Sequence, residues 1–166
     1  MPRRKILSDA EVLQATRQLF AAGGEKAISF GNLSRATGLA ASTLAQRFGS
    51  VEGLQAAATA DGWHGLTEAL TAADHLSQGK GPHALLKALE AGDLPIMLLL
   101  TLGWRNHEAL AQAARWRAHV EMALALRIGQ GEKARQQAQM LFAAWQGKLI
   151  WQMEEPRLKD LSKRLA

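Results

Sequence analysis

The sequence predicts an all-α protein, and three observations carry this prediction. Apolar residues recur at the three- and four-residue spacing of a helix face along most of the chain. Serines that can cap helices and glycines that can end them separate these segments. The composition, with 48% hydrophobic residues and only 4 prolines among 166 residues, is that of a folded chain rather than a disordered one. We therefore expect helices throughout and no β-strand.

Ser8 and Glu11 mark the start of the first predicted helix. Their spacing is that of a capping box, in which each side chain accepts a hydrogen bond from the other residue's backbone N–H. Val12 and Leu19 then fall on one face of the helix. The glycine pair at 23–24 ends it.

Two short helices and a long one are expected next. Ser29 can cap the first of them, and Gly38, which suits a left-handed turn, can end it. The second is expected over Ala41–Phe48. Ser50 can then cap the long helix, which is predicted over Val51–Ala73.

Five further helices are predicted beyond the Gly-Lys-Gly-Pro segment at 79–82. The helix over 132–153 carries apolar residues on two faces, so it needs packing partners on two sides. The five predicted helices are His83–Ala91, Leu94–Trp104, His107–Ile128, Glu132–Met153 and Arg157–Leu165.

The positive charge is concentrated in the first third of the chain. The formal net charge is +5 and the sequence pI is about 10.0. Residues 1–50 contain seven basic and three acidic side chains, which leaves only +1 for the remaining 116 residues. This distribution favours a polyanionic partner such as nucleic acid. A merely solvated basic surface is the alternative, because the excess is modest.

No residue pattern points to catalysis, a cofactor or a metal. The chain has no cysteine, and its five histidines include no pair at i, i+4 spacing and no Glu at metalloprotease spacing. No phosphate-binding glycine loop or nucleophile elbow occurs. The start of the chain lacks the apolar core of a signal peptide, and the most apolar run, Leu94–Trp104, is shorter than the roughly 20 residues of a membrane span. We expect a cytoplasmic protein that is not an enzyme.

Residues 29–48 have the form of a helix-turn-helix, in which one short helix is presented to the major groove of DNA and the other braces it. Helical hairpins with a glycine turn also occur in proteins that bind no DNA, so this pattern alone is weakly specific. With its flanks, the stretch 9–62 resembles the DNA-binding head of the TetR family of bacterial repressors, and residues 63–166 resemble the family's helical body in outline. The resemblance is carried by Leu19, Phe20, Gly24, Ile28, Ser29, Leu33, Gly38, Leu39, Thr43, Leu44, Phe48, Ser50, Glu52 and Leu54.

The resemblance implies a three-helix DNA-binding head at 1–62, joined by a long helix to a ligand-binding and dimerisation body at 63–166. The partner would be double-stranded DNA, bound by a homodimer at a palindromic operator. Three positions depart from the family pattern, which usually has Tyr at Ala45, Lys at Val51 and a Ser or Thr cap at Ala40; the first two commonly contact phosphates. The residues expected nearest the DNA are Arg3, Arg4, Lys5, Ser29, Ala41, Ser42, Thr43, Gln46 and Arg47.

Large apolar side chains in the body suggest two further sets of residues. Contacts to a small apolar ligand are expected at Trp63, Met97, Trp104, Trp116 and Met122, unless these side chains serve only as core. A dimer interface is expected at Trp145, Gly147, Ile150, Trp151, Leu158, Leu161 and Leu165. Two functions stay open. One is a ligand-responsive repressor, and the other is a TetR-like dimeric protein that has lost specific DNA binding and acts through ligand or protein contacts.

Overall fold

The computed structural model describes residues 7–152 and 157–165, and within these ranges every regular element is helical. The prediction of an all-α protein is therefore confirmed. A short 3-10 helix at Glu25–Ala27, which was not predicted, follows the first helix. The α-helices are α1 (Asp9–Gly23), α2 (Phe30–Thr37), α3 (Ala41–Phe48), α4 (Val51–Leu76), α5 (Pro82–Glu90), α6 (Ile96–Gly103), α7 (His107–Ile128), α8 (Gly131–Trp151) and α9 (Leu158–Leu165).

Local signals in the sequence set the helix ends. Ser8 Oγ accepts a hydrogen bond from the Glu11 N–H at 3.3 Å, and Glu11 Oε2 accepts one from the Ser8 N–H at 2.9 Å, which completes the predicted capping box. α3 begins and ends at the predicted residues, whereas α4 runs to Leu76 rather than Ala73. α8 ends at Trp151, since Gln152 adopts a left-handed conformation with φ 51°. Among the described residues, no helical stretch combines bilayer-spanning length with sufficient hydropathy.

The chain packs as two compact units. The first unit contains the described residues up to His64 together with Pro95–Gln112, and the second contains Gly65–Leu94 and the described residues from Ala113 onward. The predicted boundary at 62/63 placed Pro95–Gln112 in the second domain. These residues instead pack with the first unit, because α6 contacts α1 and the side chain of Leu99 lies against Gly62.

One apolar core holds the helices of the first unit together. Leu33 of α2, Leu44 of α3 and Leu54 of α4 are fully buried there, beside Val12 of α1. Leu102 of α6 packs against the same core. α2 and α3 have eight residues each and are too short to be stable alone, so burial of their leucines is what maintains them.

Glycine allows α6 to approach α4 closely within the first unit. A Cβ atom added at Gly62 would lie 2.3 Å from Leu99 Cδ2, and one added at Gly103 would lie 2.7 Å from Ala109 Cβ and 2.8 Å from Thr59 Cγ2. Gly62 and Gly103 are both buried. The packing of Pro95–Gln112 in this unit therefore depends on positions that carry no side chain.

The second unit has its own core, in which aromatic side chains are prominent. Trp145 is fully buried, and its Nε1 donates a hydrogen bond to Glu90 Oε1 at 2.9 Å. Trp116 Nε1 donates to the Leu66 carbonyl oxygen at 3.0 Å. The ring centroid of Phe142 lies 6.2 Å from that of Trp116 and 5.7 Å from that of Trp145. These tryptophans are held by both their ring packing and their N–H groups.

Gly103→Ala is expected to lower the free energy of unfolding by about 1–3 kcal/mol, because the new methyl group meets the Ala109 Cβ, which cannot move without its backbone. The matched control is Gly65→Ala, where nothing lies within 4 Å of the added Cβ and the better helix propensity of alanine should stabilise the protein by roughly 0.5–1 kcal/mol. Urea unfolding followed by circular dichroism measures both. Equal midpoints for the two variants would contradict the close approach.

Candidate nucleic-acid interface

α3 exposes one face and buries the other. Leu44 has no exposed surface, whereas Ala41, Ser42 and Gln46 are exposed and Thr43 is half-buried. Ser42 and Gln46 stand four residues apart, so they form one ridge on the exposed side of the helix. Five of the predicted DNA contacts therefore lie on α3 with at least partial exposure: Ala41, Ser42, Thr43, Gln46 and Arg47.

A left-handed glycine joins α2 to α3. Gly38 has φ 75° and ψ 4°, and its N–H donates to the Ser34 carbonyl oxygen at 2.8 Å. Nothing lies within 4 Å of an added Cβ at this position, so the backbone conformation rather than space requires glycine. Thr37 Oγ1 donates to the Leu33 carbonyl oxygen at 2.7 Å and accepts from the Leu39 N–H at 3.3 Å. These bonds fix the path of the chain into α3.

Ser29 caps α2 as predicted. Its Oγ accepts a hydrogen bond from the Asn32 N–H at 3.1 Å, and Asn32 Nδ2 donates to the Ala27 carbonyl oxygen at 2.8 Å. The hydroxyl oxygen of Ser29 is thus engaged within the chain. The oxygen acts there as an acceptor, so the Ser29 O–H can still donate to a phosphate, together with the backbone N–H groups at the start of α2, which suit an anion.

Arg47, at the end of α3, is held by the start of α1. Its Nη1 donates to the Leu7 carbonyl oxygen at 3.0 Å and lies 3.3 Å from Asp9 Oδ1. Its side chain is 29% exposed. Asp9 was not predicted to belong to this region, because 38 residues separate it from Arg47 and no local pattern relates them.

The sequence segment that forms α2 and α3 contains no acidic residue. Between Phe30 and Phe48 the charged side chains are Arg35 and Arg47. Arg35 is exposed and donates to the side-chain oxygen of Asn32 within α2. The predicted basic arm, Arg3, Arg4 and Lys5, lies outside the described residues. The ion pair of Arg47 places the Asp9 carboxylate, which belongs to α1, against α3.

The three positions that depart from the TetR pattern differ in their surroundings. Ala40 is the N-cap of α3, with φ −64° and ψ 140°, and its side chain has no group that could accept a hydrogen bond. Ala45 and Val51 are half-buried. Val51 packs against the core of the first unit.

The five predicted ligand contacts are divided between the two units. Trp63, Met97 and Trp104 belong to the first unit, whereas Trp116 and Met122 belong to the second. Trp63 and Trp116 are 3% and 2% exposed and serve as core, while Met97, Trp104 and Met122 are exposed. For Trp63 and Trp116 the structure therefore fits the alternative, in which these side chains serve only as core.

Each unit has a pocket that includes one of these residues. In the second unit a pocket of about 530 Å³ is lined by residues of α7 and α8 and includes Met122. In the first unit a pocket of about 740 Å³ includes Trp104. Trp104 is 60% exposed, so its ring is accessible to a ligand.

The predicted dimer residues divide into buried and exposed groups. Trp145 and Leu158 are 0% and 3% exposed and belong to the core of the second unit, where α9 packs against α5 and α8, so they are not available at a surface. Leu161 and Gly147 are half-buried, and the side chain of Leu165 lies outside the described part of the structure. Ile150 and Trp151 are exposed. With the exposed Met140 and Ala143 and the half-buried Gly147 they form one line along α8, here called the α8 stripe.

Comparison of the chain with the profiles of known protein families and with curated proteins finds no match. The chemistry of the α3 face is therefore the guide to function. Hydroxyl and amide groups such as those of Ser42 and Gln46 can hydrogen-bond base edges or phosphates, and a guanidinium such as that of Arg47 can bind phosphate or guanine.

Ala40→Ser is expected to stabilise the protein by about 1 kcal/mol, because the backbone at 40 already has the extended conformation of an N-cap and lacks only an accepting side chain. Ala36→Ser, at an exposed interior position of α2, adds the same hydroxyl where it cannot cap a helix and should lower stability by a few tenths of a kcal/mol. Thermal unfolding compares the two. If the Ala40→Ser variant is no more stable than the Ala36→Ser variant, the start of α3 is satisfied in another way.

Proposed function

We propose that this protein is a DNA-binding transcriptional regulator of TetR-like organisation, in which α2 and α3 form the helix-turn-helix. The observation that carries the proposal is the amphipathic α3, which follows a left-handed glycine turn, buries Leu44 completely and exposes Ala41, Ser42 and Gln46. A recognition helix needs these properties, because its inner face must fix its orientation while its outer face reads the groove.

Size and charge support the same reading. α3 is an α-helix, whose diameter with side chains is about 10–12 Å, and the major groove, roughly 12 Å wide, admits such a helix. No acidic residue occurs between Phe30 and Phe48, and residues 1–50 hold most of the net positive charge. Phosphate contacts from this region would supply affinity, and the exposed ridge of α3 would supply selectivity.

Dimerisation through the α8 stripe would give the protein two copies of the DNA-binding unit. Met140, Ile150 and Trp151 are 53%, 39% and 75% exposed, and Gly147 lies between them with nothing within 4 Å of an added Cβ. A second copy would cover these apolar side chains, and the open space at Gly147 would permit close approach of two helices. A twofold dimer of this kind would read two half-sites about one helical turn apart.

A dimeric protein that no longer reads DNA is the second candidate. Ala45 and Val51 offer no polar group to a phosphate, and Arg47 is engaged by Leu7 and Asp9. Titration of the protein against a DNA site selected from a random pool and against its scrambled form, at two salt concentrations, separates the two functions. Equal and weak binding to both DNAs would favour this second function.

Asp9→Asn is expected to tighten DNA binding severalfold, because Asp9 competes with phosphate for Arg47 and adds negative charge beside α3. Glu132→Gln is the matched control: it removes one carboxylate that is paired with Arg135 in the second unit, so the net charge changes equally. Fluorescence anisotropy with a selected DNA duplex measures both dissociation constants. A tightening of the same size in both variants would indicate a general charge effect, and no tightening in the Asp9→Asn variant would remove Arg47 from the interface.

Joint replacement of Ile150 and Trp151 by Glu is expected to convert the dimer to monomers, because four carboxylates would be buried across the twofold axis. Leu76→Glu is the control, since Leu76 is 73% exposed but lies at the end of α4, away from the α8 stripe in sequence and on another helix. Sedimentation velocity at micromolar concentration gives the oligomeric state. A wild-type chain that sediments as a monomer would refute the dimer.

A further inference from the structure

The pocket of about 740 Å³ in the first unit is formed by α1, the 3-10 helix, α4, α6 and the start of α7. Its volume is within the range of small-molecule sites, roughly 300–1,000 Å³. Phe20, Leu102 and Trp104 supply apolar surface, and Glu25, Glu52 and Glu108 supply carboxylates. A pocket with this lining favours a ligand that has both an apolar part and a positive charge.

Trp104 and Arg105 show how a cation is held there. The Arg105 guanidinium carbon lies 5.1 Å from the centroid of the Trp104 ring, within the range of a cation–π contact. Arg105 Nη1 also lies 3.8 Å from Glu25 Oε1. The chain thus places a flat cation of its own between an indole face and a carboxylate. Because both side chains of this ion pair are mostly exposed, the guanidinium can be displaced at small cost.

The charges of the pocket favour a cation over an anion as its ligand. Its lining includes three carboxylates, one guanidinium, that of Arg105, and one imidazole, that of His107. The N-terminus of α7 is capped within the chain, where Asn106 Oδ1 accepts from the Ala109 N–H at 3.1 Å. Glu108 in its first turn adds a negative charge that disfavours an anion.

We propose that this pocket binds a small organic cation with a flat apolar part, which takes the place of Arg105 over the Trp104 ring and directs its charge to Glu25 and Glu52. α1 and α4, which line the pocket, also contribute Val12 and Leu54 to the core that holds Leu33 and Leu44. This pocket would be an effector site for the helix-turn-helix in the same unit, a role that rests on the proposed function. A ligand that shifts α1 or α4 would also change the position of α3.

Calorimetric titration of the full chain with phenyltrimethylammonium tests the site, with benzyl alcohol as the neutral control and benzenesulfonate as the anionic one. The cation is expected to bind most tightly. Trp104→Ala should weaken its binding roughly two- to thirtyfold, whereas Leu76→Ala, which removes an exposed apolar side chain of the second unit, should leave it unchanged. Glu52→Gln should also weaken it.

Arg105→Ala is the more specific test. It should tighten binding of the cation severalfold, because it removes the guanidinium that competes for the Trp104 ring. Loss of an Arg105 that has only a structural role would not tighten binding. Benzenesulfonate binding as tightly as the cation, or equal affinities in wild type and the Trp104→Ala variant, would overturn the proposal.

Regulation is tested separately with the selected DNA duplex. At constant ionic strength, phenyltrimethylammonium should change the DNA dissociation constant of wild type severalfold, tetramethylammonium should not, and the Trp104→Ala variant should respond to neither. Binding of the cation by a chain that binds no DNA would refute the proposed function and keep the site. Specific DNA binding that the bound cation leaves unchanged would keep the function and refute the regulatory role.

Discussion

Burial of Leu44 is the constraint on which the candidate interface depends. α3 is eight residues long and starts without a side-chain cap, so its own hydrogen bonds cannot maintain it. Leu44 is fully buried in the same core as Leu33 and Leu54, and this core determines which side of the helix faces solvent. Rotation of α3 about its axis would expose Leu44 and bury Gln46 without a partner, and both changes cost free energy. The chemistry of the exposed face therefore follows from one apolar contact.

The ends of α1 and α2 were predictable because their signals are local. Ser8, Ser29 and Gly38 act within a few residues of themselves, and each performs the role that its position indicates. The division of the chain into units was not predictable in the same way. Residues 95–112 join the first unit through Gly62 and Gly103, where the absence of a side chain permits contact, and the sequence does not say what lies opposite a glycine.

The candidate site residues were predicted with similar limits. Apolar periodicity indicates that a helix such as α8 needs partners on two sides, but not whether a partner belongs to the same chain. Trp145 hydrogen-bonds to Glu90 and packs against Phe142 within its own unit, whereas Ile150 and Trp151 are exposed. The pair of Arg47 and Asp9 was missed because it joins two helices that are distant in sequence. Long-range pairs of this kind become visible only once the core has positioned their helices.

The partners of Arg47 are compatible with the proposed role of this residue in binding DNA. An ion pair as exposed as that of Arg47 and Asp9 contributes little to stability, since water screens it and two side chains must be ordered. A phosphate offers the same guanidinium a similar contact and also releases counterions, so exchange of Asp9 for phosphate is favoured at low salt and less so at high salt. Ser42 and Gln46 carry no charge and have no such salt dependence. In a DNA-binding protein built this way, Arg47 and the other basic residues of the first third of the chain contribute salt-dependent affinity. The uncharged ridge of α3, Ser42 and Gln46, must supply the discrimination between DNA sequences.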